Sequence, residues 1–151
     1  MTVMPTKEPQ YFTLEAANAL VPQLREIVGR QLGRRAEIED RLNELAVATG
    51  EAPTELTPPV PSDPPQVRAL KRELLERIGK YQEGWAEVEE LGAVLKDPRL
   101  GLVDFYGHVE GKAVWLCWKF GEEEIAHYHQ LDEGFSSRKP IGASLKRSLL
   151  N

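Results

Sequence analysis

The chain has a single cysteine among its 151 residues. One thiol cannot form an internal disulfide, which excludes a disulfide-stapled secreted scaffold and favours a reducing compartment. Residues 1–10 lack the apolar run of a signal peptide. The sequence also has no stretch of about eighteen apolar residues that could span a membrane. We therefore expect a cytoplasmic protein with no membrane partner.

The chain also lacks an excess of positive charge. Its 19 basic and 24 acidic side chains give a net charge of −5, and neither sign collects in a tail. A dedicated nucleic-acid binder usually carries a basic stripe, whereas here the basic cluster is short and lies near the C-terminus, at Arg138, Lys139, Lys146 and Arg147. We interpret this cluster as solvated, so nucleic acid is disfavoured as a partner.

The length and the hydrophobic share of 41% fit one globular domain, residues 1–151. Its first part reads as a helical hairpin over residues 13–92. Thr13 is a good N-cap, and Pro22 predicts a break before a longer helix. Six prolines make residues 50–65 a loop, which we interpret as a connector to a second helix over residues 66–91.

The two long helices predict self-association. At about 1.5 Å per residue each would extend roughly 40 Å. Three ordinary strands of about 17–20 Å cannot cover that length. We therefore expect apolar helix surface to remain for a partner, and we predict a homodimer that forms through the helical hairpin.

After a turn at Asp97-Pro98 the pattern becomes strand-like. Alternating β-branched and aromatic residues predict strands over 102–108, 112–120 and 124–130, with Glu110-Gly111 as a two-residue loop. The predicted fold is α+β: a long antiparallel helical hairpin packed on a three-stranded antiparallel β-meander. The meander spans residues 102–131, and a C-terminal segment follows over residues 132–151.

Strand register predicts which side chains share a face. The two-residue loop places Asp104 opposite Cys117, and a three-residue loop at 121–123 places Cys117 opposite His127. Alternation then separates an apolar face from a polar one. The apolar face has Val103, Phe105, Leu116, Trp118, Ala126 and Tyr128; the polar face has one row of Asp104, Cys117 and His127 and another of Tyr106, Trp115 and His129. A one-residue change in the second loop would move both histidines to the apolar face.

Three interpretations of the polar face are open. His127 and His129 could bind zinc or iron together with Asp104, Cys117, Asp132 or Glu133, although His-x-His lacks the fixed spacing of a zinc finger. Cys117 could be a nucleophile activated by His127 and Asp104. The third interpretation is an amphipathic sheet face, partly covered by the C-terminal segment or by a second subunit.

Arg138 follows the third strand, after a turn predicted at Gly134. Its rigid fork of donors suits a carboxylate or a phosphate. One role is an ion pair with Asp132 or Glu133 that fastens this loop, and the other is anion recognition beside His129. We favour the fastening role.

Two blocks of sequence resemble the bacterial domain-of-unknown-function family 2203. The first is residues 11–18, and the second comprises Gly101 to Phe105, Leu116-Cys117-Trp118, Gly121-Glu122, Ile125, His129, Gly134-Phe135, Arg138 and Pro140. The resemblance implies a small, globular, cytoplasmic protein with a helical part and a short sheet, and it implies no activity.

The same resemblance separates the candidate site residues. Asp104, Cys117, His129 and Arg138 match characteristic positions of the family. His127 departs from the pattern, where an aromatic residue is usual, and Tyr128 stands where tryptophan is common. The resemblance therefore favours a mechanism centred on His129, with Asp104, Glu133 and Arg138, over one that depends on His127.

The function that we rank first is a non-enzymatic one. The chain would be a small cytoplasmic protein that self-associates and binds a ligand or partner at the polar sheet face, through Asp104, Tyr106, Trp115, Cys117 and Arg138. The runner-up is a metal-dependent enzyme, hydrolase-like, with His127 and His129 as ligands of zinc or a similar metal and Glu133 as general base.

Overall fold

The computed structural model describes residues 9–142, so residues 1–8 and the end of the predicted C-terminal segment, with Lys146 and Arg147, lie outside the described part. The fold is α+β, as predicted. The helices are α1 (Leu14–Ala19), α2 (Val21–Thr49), α3 (Pro65–Gly84) and α4 (Ala86–Glu90); the strands are β1 (Val94–Asp97), β2 (Leu102–Val109), β3 (Lys112–Lys119), β4 (His127–Gln130) and β5 (Lys139–Pro140). None of the helices in the described part is long and apolar enough to cross a bilayer.

The chain divides into two compact units, which we describe separately. Within residues 9–142, one unit comprises residues 9–28 and 87–142, and the other comprises residues 29–86. The first unit contains the sheet together with α1 and the beginning of α2. The second contains the rest of α2, the proline-rich loop and α3.

The helix starts follow local chemistry. The Thr13 Oγ1 accepts a hydrogen bond from the Ala16 N–H at 3.0 Å, as expected of an N-cap. Helix α2 begins at Val21, so Pro22 stands in its first turn, where a missing N–H breaks no helical hydrogen bond. The predicted break therefore lies at Leu20, just before the proline. Pro65 occupies the same kind of position at the start of α3.

In the unit formed by residues 29–86, α2 and α3 share an apolar core. Its buried members are Ile38, Leu45, Val67, Leu70 and Leu74, and Leu42, Leu56, Ile78 and Tyr81 pack around them. Ion pairs join the same helices at Arg41–Glu73 (3.1 Å) and Glu37–Arg77 (2.6 Å). The later residue of α2, Arg41, pairs with the earlier residue of α3, Glu73, so the two helices contact each other in antiparallel order.

A buried glutamine interrupts this apolar seam. Gln31 is fully buried, and its amide Nε2 donates to the Tyr81 carbonyl at the end of α3. The Gln31 Oε1 accepts from the Arg34 guanidinium at 2.8 Å. Gly84 allows this approach, because a Cβ there would lie 2.4 Å from the Gln31 Oε1.

Five strands, rather than the predicted three, form the sheet among residues 9–142, in the order β1-β2-β3-β4-β5 and antiparallel throughout. The predicted strands correspond to β2, β3 and β4. Strand β1 has four residues and begins after a three-residue connection from α4, and β5 has two residues, one of them Pro140. Neither is long enough to show an alternating pattern, which is why both were missed.

The third predicted strand starts later than expected. Strand β4 begins at His127 rather than at Glu124. Ile125 is fully buried, and its N–H donates to the Asn18 Oδ1 of α1 at 2.7 Å. Because this N–H bonds to Asn18, it is not available to pair with β3. The connection between β3 and β4 is therefore residues 120–126 and is longer than the predicted three-residue loop.

The predicted register is confirmed. Glu110 and Gly111 have φ of 52° and 78°, the positive values that a two-residue type I′ hairpin requires. Asp104 pairs with Cys117, Cys117 with His127, and Trp115 with His129. On the apolar face, the predicted core residues Val103, Phe105, Leu116 and Trp118 are all fully buried.

The segment before α1 packs against this apolar face, within the same unit as the sheet. The Phe12 N–H donates to the Tyr106 carbonyl at 2.7 Å. The Phe12 ring meets the Phe105 ring edge-on, with centroids 5.0 Å apart. The segment therefore covers part of the apolar face of the sheet. The candidate site residues lie on the opposite, polar face.

The Gln31–Gly84 contact gives a stability test with a matched control. We expect Gly84→Ala to destabilise the protein by about 1–3 kcal/mol, because a buried, hydrogen-bonded Gln31 would have to move. Gly79→Ala in the same helix meets nothing within 4 Å and should stabilise by up to about 1 kcal/mol through helix propensity. Urea unfolding midpoints measure both changes. Equal shifts for the two variants would contradict the packing role of Gly84.

Candidate metal and ligand site

The polar side of the sheet is buried rather than open. Asp104 on β2 is 1% exposed, Cys117 on β3 is 1% exposed, and His129 on β4 is 4% exposed. Strand alternation puts the three side chains on one face, and the paired strands bring them together. Three neighbouring strands therefore supply one buried group of titratable side chains.

A hydrogen bond between Asp104 and His129 is the centre of the group. The His129 Nε2 lies 2.9 Å from the Asp104 Oδ2, and the His129 Nδ1 lies 3.0 Å from the Gln130 carbonyl. A carbonyl oxygen can only accept, so Nδ1 carries a hydrogen and donates it. Nε2 therefore faces the carboxyl group and shares one proton with it.

The Asp104 carboxyl group is buried, an environment that disfavours its charged form. Burial raises the pKa of its carboxyl group, and this effect outweighs the nearby charge of His129 and the hydrogen bonds from Cys117 and His129. The second oxygen, Oδ1, is buried and has no hydrogen-bond partner among the described residues. A buried carboxyl oxygen without a partner is costly, so it marks a site that a bound ligand could complete.

Cys117 lies beside this carboxyl group. Burial, followed by the charge of Asp104 and its hydrogen bond, raises the pKa of the thiol to about 12, although the Arg138 guanidinium acts in the opposite direction. In the metal-free protein the thiol is therefore protonated at neutral pH. That argues against the interpretation of Cys117 as a nucleophile, which needs a thiolate.

The three side chains lie close enough together to hold a metal ion. Their ligand atoms all lie within 4.8 Å of one another, and no second group of this kind is found in residues 9–142. Imidazole nitrogen, thiolate sulfur and carboxylate oxygen are all zinc ligands. Histidines that bind metal usually donate their other N–H to a carbonyl or a carboxylate, as His129 does to Gln130.

A cavity of about 340 Å³ opens onto this group. Besides Asp104, Cys117 and His129, its walls are Lys96, Asp97, Leu102, Glu133, Gly134 and Phe135. Lys96 lies over the Trp115 ring, with its Nζ 3.6 Å from the ring centroid. Sequence reasoning missed Lys96 because it did not recognise β1 as a strand, and the exposed lysine itself carries no signal.

The structure does not bring His127 into the group with His129. His127 pairs with Cys117 across β3 and β4, but it is not among the side chains whose ligand atoms lie within 4.8 Å of one another. Its Nδ1 is 3.8 Å from the Glu122 Oε2 and has no hydrogen-bond partner among the described residues. Glu133, the predicted general base, lies on the cavity wall, and its Oε1 accepts from the Gln130 N–H at 3.3 Å. Asp132 is exposed.

Arg138 has the fastening geometry that we favoured, but its partner is Glu122 rather than Asp132 or Glu133. Two parallel hydrogen bonds of 3.0 Å join the guanidinium to the Glu122 carboxylate. Burial raises the pKa of Glu122, but the hydrogen bonds from Arg138 and the Lys119 N–H hold it below its usual value. The guanidinium also lies over the Phe135 ring, 4.4 Å from its centroid, and 4.0 Å from the Cys117 Sγ.

The aromatic residues of the predicted site are packed under the following loop. Trp115 is 5% exposed, and its Nε1 donates to the Leu131 carbonyl at 3.4 Å. The Tyr106 ring lies 4.0 Å from the Trp115 ring, and the Tyr11 ring lies 5.7 Å from that of Tyr106. Trp115 is therefore buried, whereas Tyr106 is half-buried and Tyr11 is 47% exposed.

Comparison with known families shows which family the chain belongs to. A family model described as an uncharacterized conserved protein, domain-of-unknown-function family 2203, matches residues 10–141, and the chain belongs to this family. The match covers the whole buried group and its cavity. Searches of curated proteins and of solved structures gave no significant match.

The state of Cys117 can be tested by its reactivity. In metal-free folded protein we expect the thiol to react with Ellman's reagent about tenfold or more slowly than in guanidinium-unfolded protein, because it is buried and its raised pKa keeps it protonated. The rate should stay low up to about pH 9, since the folded pKa lies well above that pH. Rapid reaction at pH 7 would revive the interpretation of Cys117 as a nucleophile.

Proposed function

We propose that this member of family 2203 is a metal-binding protein, with Asp104, Cys117 and His129 as ligands of one divalent transition metal ion. The observation that carries the proposal is a buried carboxyl group, thiol and imidazole whose ligand atoms lie within 4.8 Å of one another. One oxygen of that carboxyl group, the Asp104 Oδ1, has no hydrogen-bond partner among the described residues. The polar sheet face predicted to bind a ligand thus has a metal ion as its proposed ligand.

Electrostatics favour a dication here. Asp104 and Cys117 are both buried acids whose ionised forms repel each other, and each has a raised pKa. A bound dication reverses that balance, since a coordinating thiol is deprotonated outright. The metal would supply the positive charge that allows both groups to ionise away from water.

The donor types narrow the choice of metal. Calcium and magnesium prefer sites built only from oxygen ligands. One nitrogen, one sulfur and one oxygen suit zinc, which was one of the two metals, zinc and iron, that the sequence left open. Zinc is therefore the proposed ion, and cobalt(II) is its natural spectroscopic substitute.

Zinc titration of chelator-treated, tag-free protein tests the proposal. With a competing chromophoric chelator as readout, we expect about one equivalent of zinc to bind. His129→Ala and Asp104→Asn should each weaken binding by about a hundredfold, because each removes a ligand. Asp104→Asn keeps the side-chain shape, so it remains informative if His129→Ala folds poorly, which circular dichroism would report.

Two other histidines serve as controls for the same titration. His127→Ala should leave zinc binding within about twofold of the parent, since its ring lies beside Glu122 rather than in the group. His108→Ala, an exposed residue stacked on Tyr11, should do the same. An unchanged zinc affinity in Asp104→Asn, or a large loss in His127→Ala, would overturn the assignment.

The enzyme alternative is kept as the second candidate. A metal-dependent hydrolase would use Glu133 as general base, and the cavity beside the three ligands is the observation that favours it. His127, predicted as a second metal ligand, is not part of this proposal. The cytoplasmic location and the absence of a nucleic-acid partner remain proposals that rest on the single cysteine and the negative net charge.

We also propose that the chain forms a homodimer through the helical hairpin of α2 and α3. These helices have 29 and 20 residues, or roughly 44 and 30 Å. Leu75 on α3 is 42% exposed and offers an apolar contact for a second copy. The outer faces also carry charged side chains, such as Lys80 and Glu76, that suit a solvated rim.

Sedimentation over a range of concentrations tests the dimer. We expect reversible self-association that Leu75→Lys weakens about tenfold or more, because it places a charge in the apolar contact. Leu131→Lys in the sheet-containing unit, at an equally exposed position, is the matched control and should have no effect. A monomer at every concentration would overturn the proposal.

A further inference from the structure

We propose that the metal keeps one exchangeable coordination position, which faces the cavity and takes a small monocarboxylate recognised by Lys96. This inference rests on the proposed metal site and goes beyond it. It assigns the chemistry of a second ligand and a role to a lysine that the sequence did not single out.

The first step is the number of ligands. Zinc and cobalt(II) sites of this type are usually four-coordinate, and three side chains are in place. Asp97, Glu133 and His127 are not members of the group whose ligand atoms lie within 4.8 Å of one another. The Asp97 carboxylate accepts from the Arg99 N–H at 2.9 Å and from its guanidinium at 3.3 Å. Glu133 accepts from the Gln130 N–H, and His127 lies beside Glu122.

The second step is space. A structural zinc site is closed by four protein ligands and needs no cavity, whereas a site that exchanges ligands keeps an open position. Here the three ligands form part of the wall of a cavity of about 340 Å³. That volume falls at the small end of the range for sites that bind small molecules. The fourth position therefore has room for a small organic ligand.

The third step is charge. With a dication, the Asp104 carboxylate and the Cys117 thiolate give a neutral metal centre, so a bound carboxylate makes it negative. Lys96 on the cavity wall supplies the opposite charge. The Trp115 ring holds the ammonium group in place from below, at 3.6 Å.

The acidic side chains of the cavity wall, Asp97 and Glu133, favour a ligand with a single negative charge. Asp97 is neutralised by Arg99, which leaves Glu133 as the opposing carboxylate. A dicarboxylate would bring a second negative charge towards Glu133, and like charges at short range repel. A ligand with one carboxylate can instead lie on the Lys96 side. The inferred class is therefore a small monocarboxylate.

Cobalt(II)-substituted full-length protein tests the inference, with sodium acetate as the probe. A sulfur-to-cobalt charge-transfer band reports that Cys117 binds the metal, and the visible d–d bands report the coordination number. We expect acetate, at constant ionic strength, to change the d–d bands saturably while the charge-transfer band remains. Lys96→Gln should weaken the apparent acetate affinity at least about fivefold while the charge-transfer band remains.

Lys80→Gln is the matched control, because Lys80 is an exposed lysine that pairs with Glu76 in the other unit. It should respond to acetate like the parent. A missing charge-transfer band would refute the proposed metal site itself. A band with d–d features insensitive to acetate would leave the metal site standing and overturn the open position. An equal response of Lys96→Gln and the parent would overturn recognition by Lys96.

Discussion

The register of β2 against β3 is the constraint on which the site depends. The turn at Glu110-Gly111 sets it, with both residues at positive φ. Because side chains alternate along a strand, a slip of one residue would exchange the two faces of β3. Cys117 would then point towards the apolar side, and Trp118 would enter the polar row. The turn therefore decides whether Asp104 has a partner at all.

Because Asp104, Cys117 and His129 are buried, a polar atom among them that lacks a hydrogen-bond partner lowers the stability of the fold. Asp104 and His129 satisfy each other at 2.9 Å, and the Gln130 carbonyl fixes the imidazole from the other side. Removing one partner of such a buried pair typically costs about 3–5 kcal/mol, since the other remains desolvated. One carboxyl oxygen nevertheless stays without a partner among the described residues. Packing alone gives no reason to retain it, whereas a bound cation does.

The central hairpin could be predicted from sequence because its signals are local. Alternation over eight residues on each side of a two-residue turn fixes both strand type and pairing. The edge strands β1 and β5 could not be predicted, since they are too short to alternate and form only by pairing with strands already present. Missing β1 also hid Lys96, which that strand places on the cavity wall.

Strand periodicity could not predict which of the two histidines joins Asp104 and Cys117. His127 and His129 are two residues apart and share a face, so periodicity treats them alike. The connection before β4 separates them, because it presents Glu122 to His127. The same carboxylate is the partner of Arg138, for which sequence proximity suggested Asp132 or Glu133. The family resemblance, by contrast, had already set His127 apart from His129.

The Glu122–Arg138 pair links the thiol to the loop that borders the cavity. Arg138 stacks on Phe135, a wall residue of the cavity, and approaches the Cys117 Sγ to 4.0 Å. Its positive charge lowers the pKa of the thiol, whereas burial and Asp104 raise it. Because Glu122 holds the guanidinium with two hydrogen bonds, the position of this charge depends on the loop being fastened. An ion pair outside the group of Asp104, Cys117 and His129 thus influences how readily the thiol ionises.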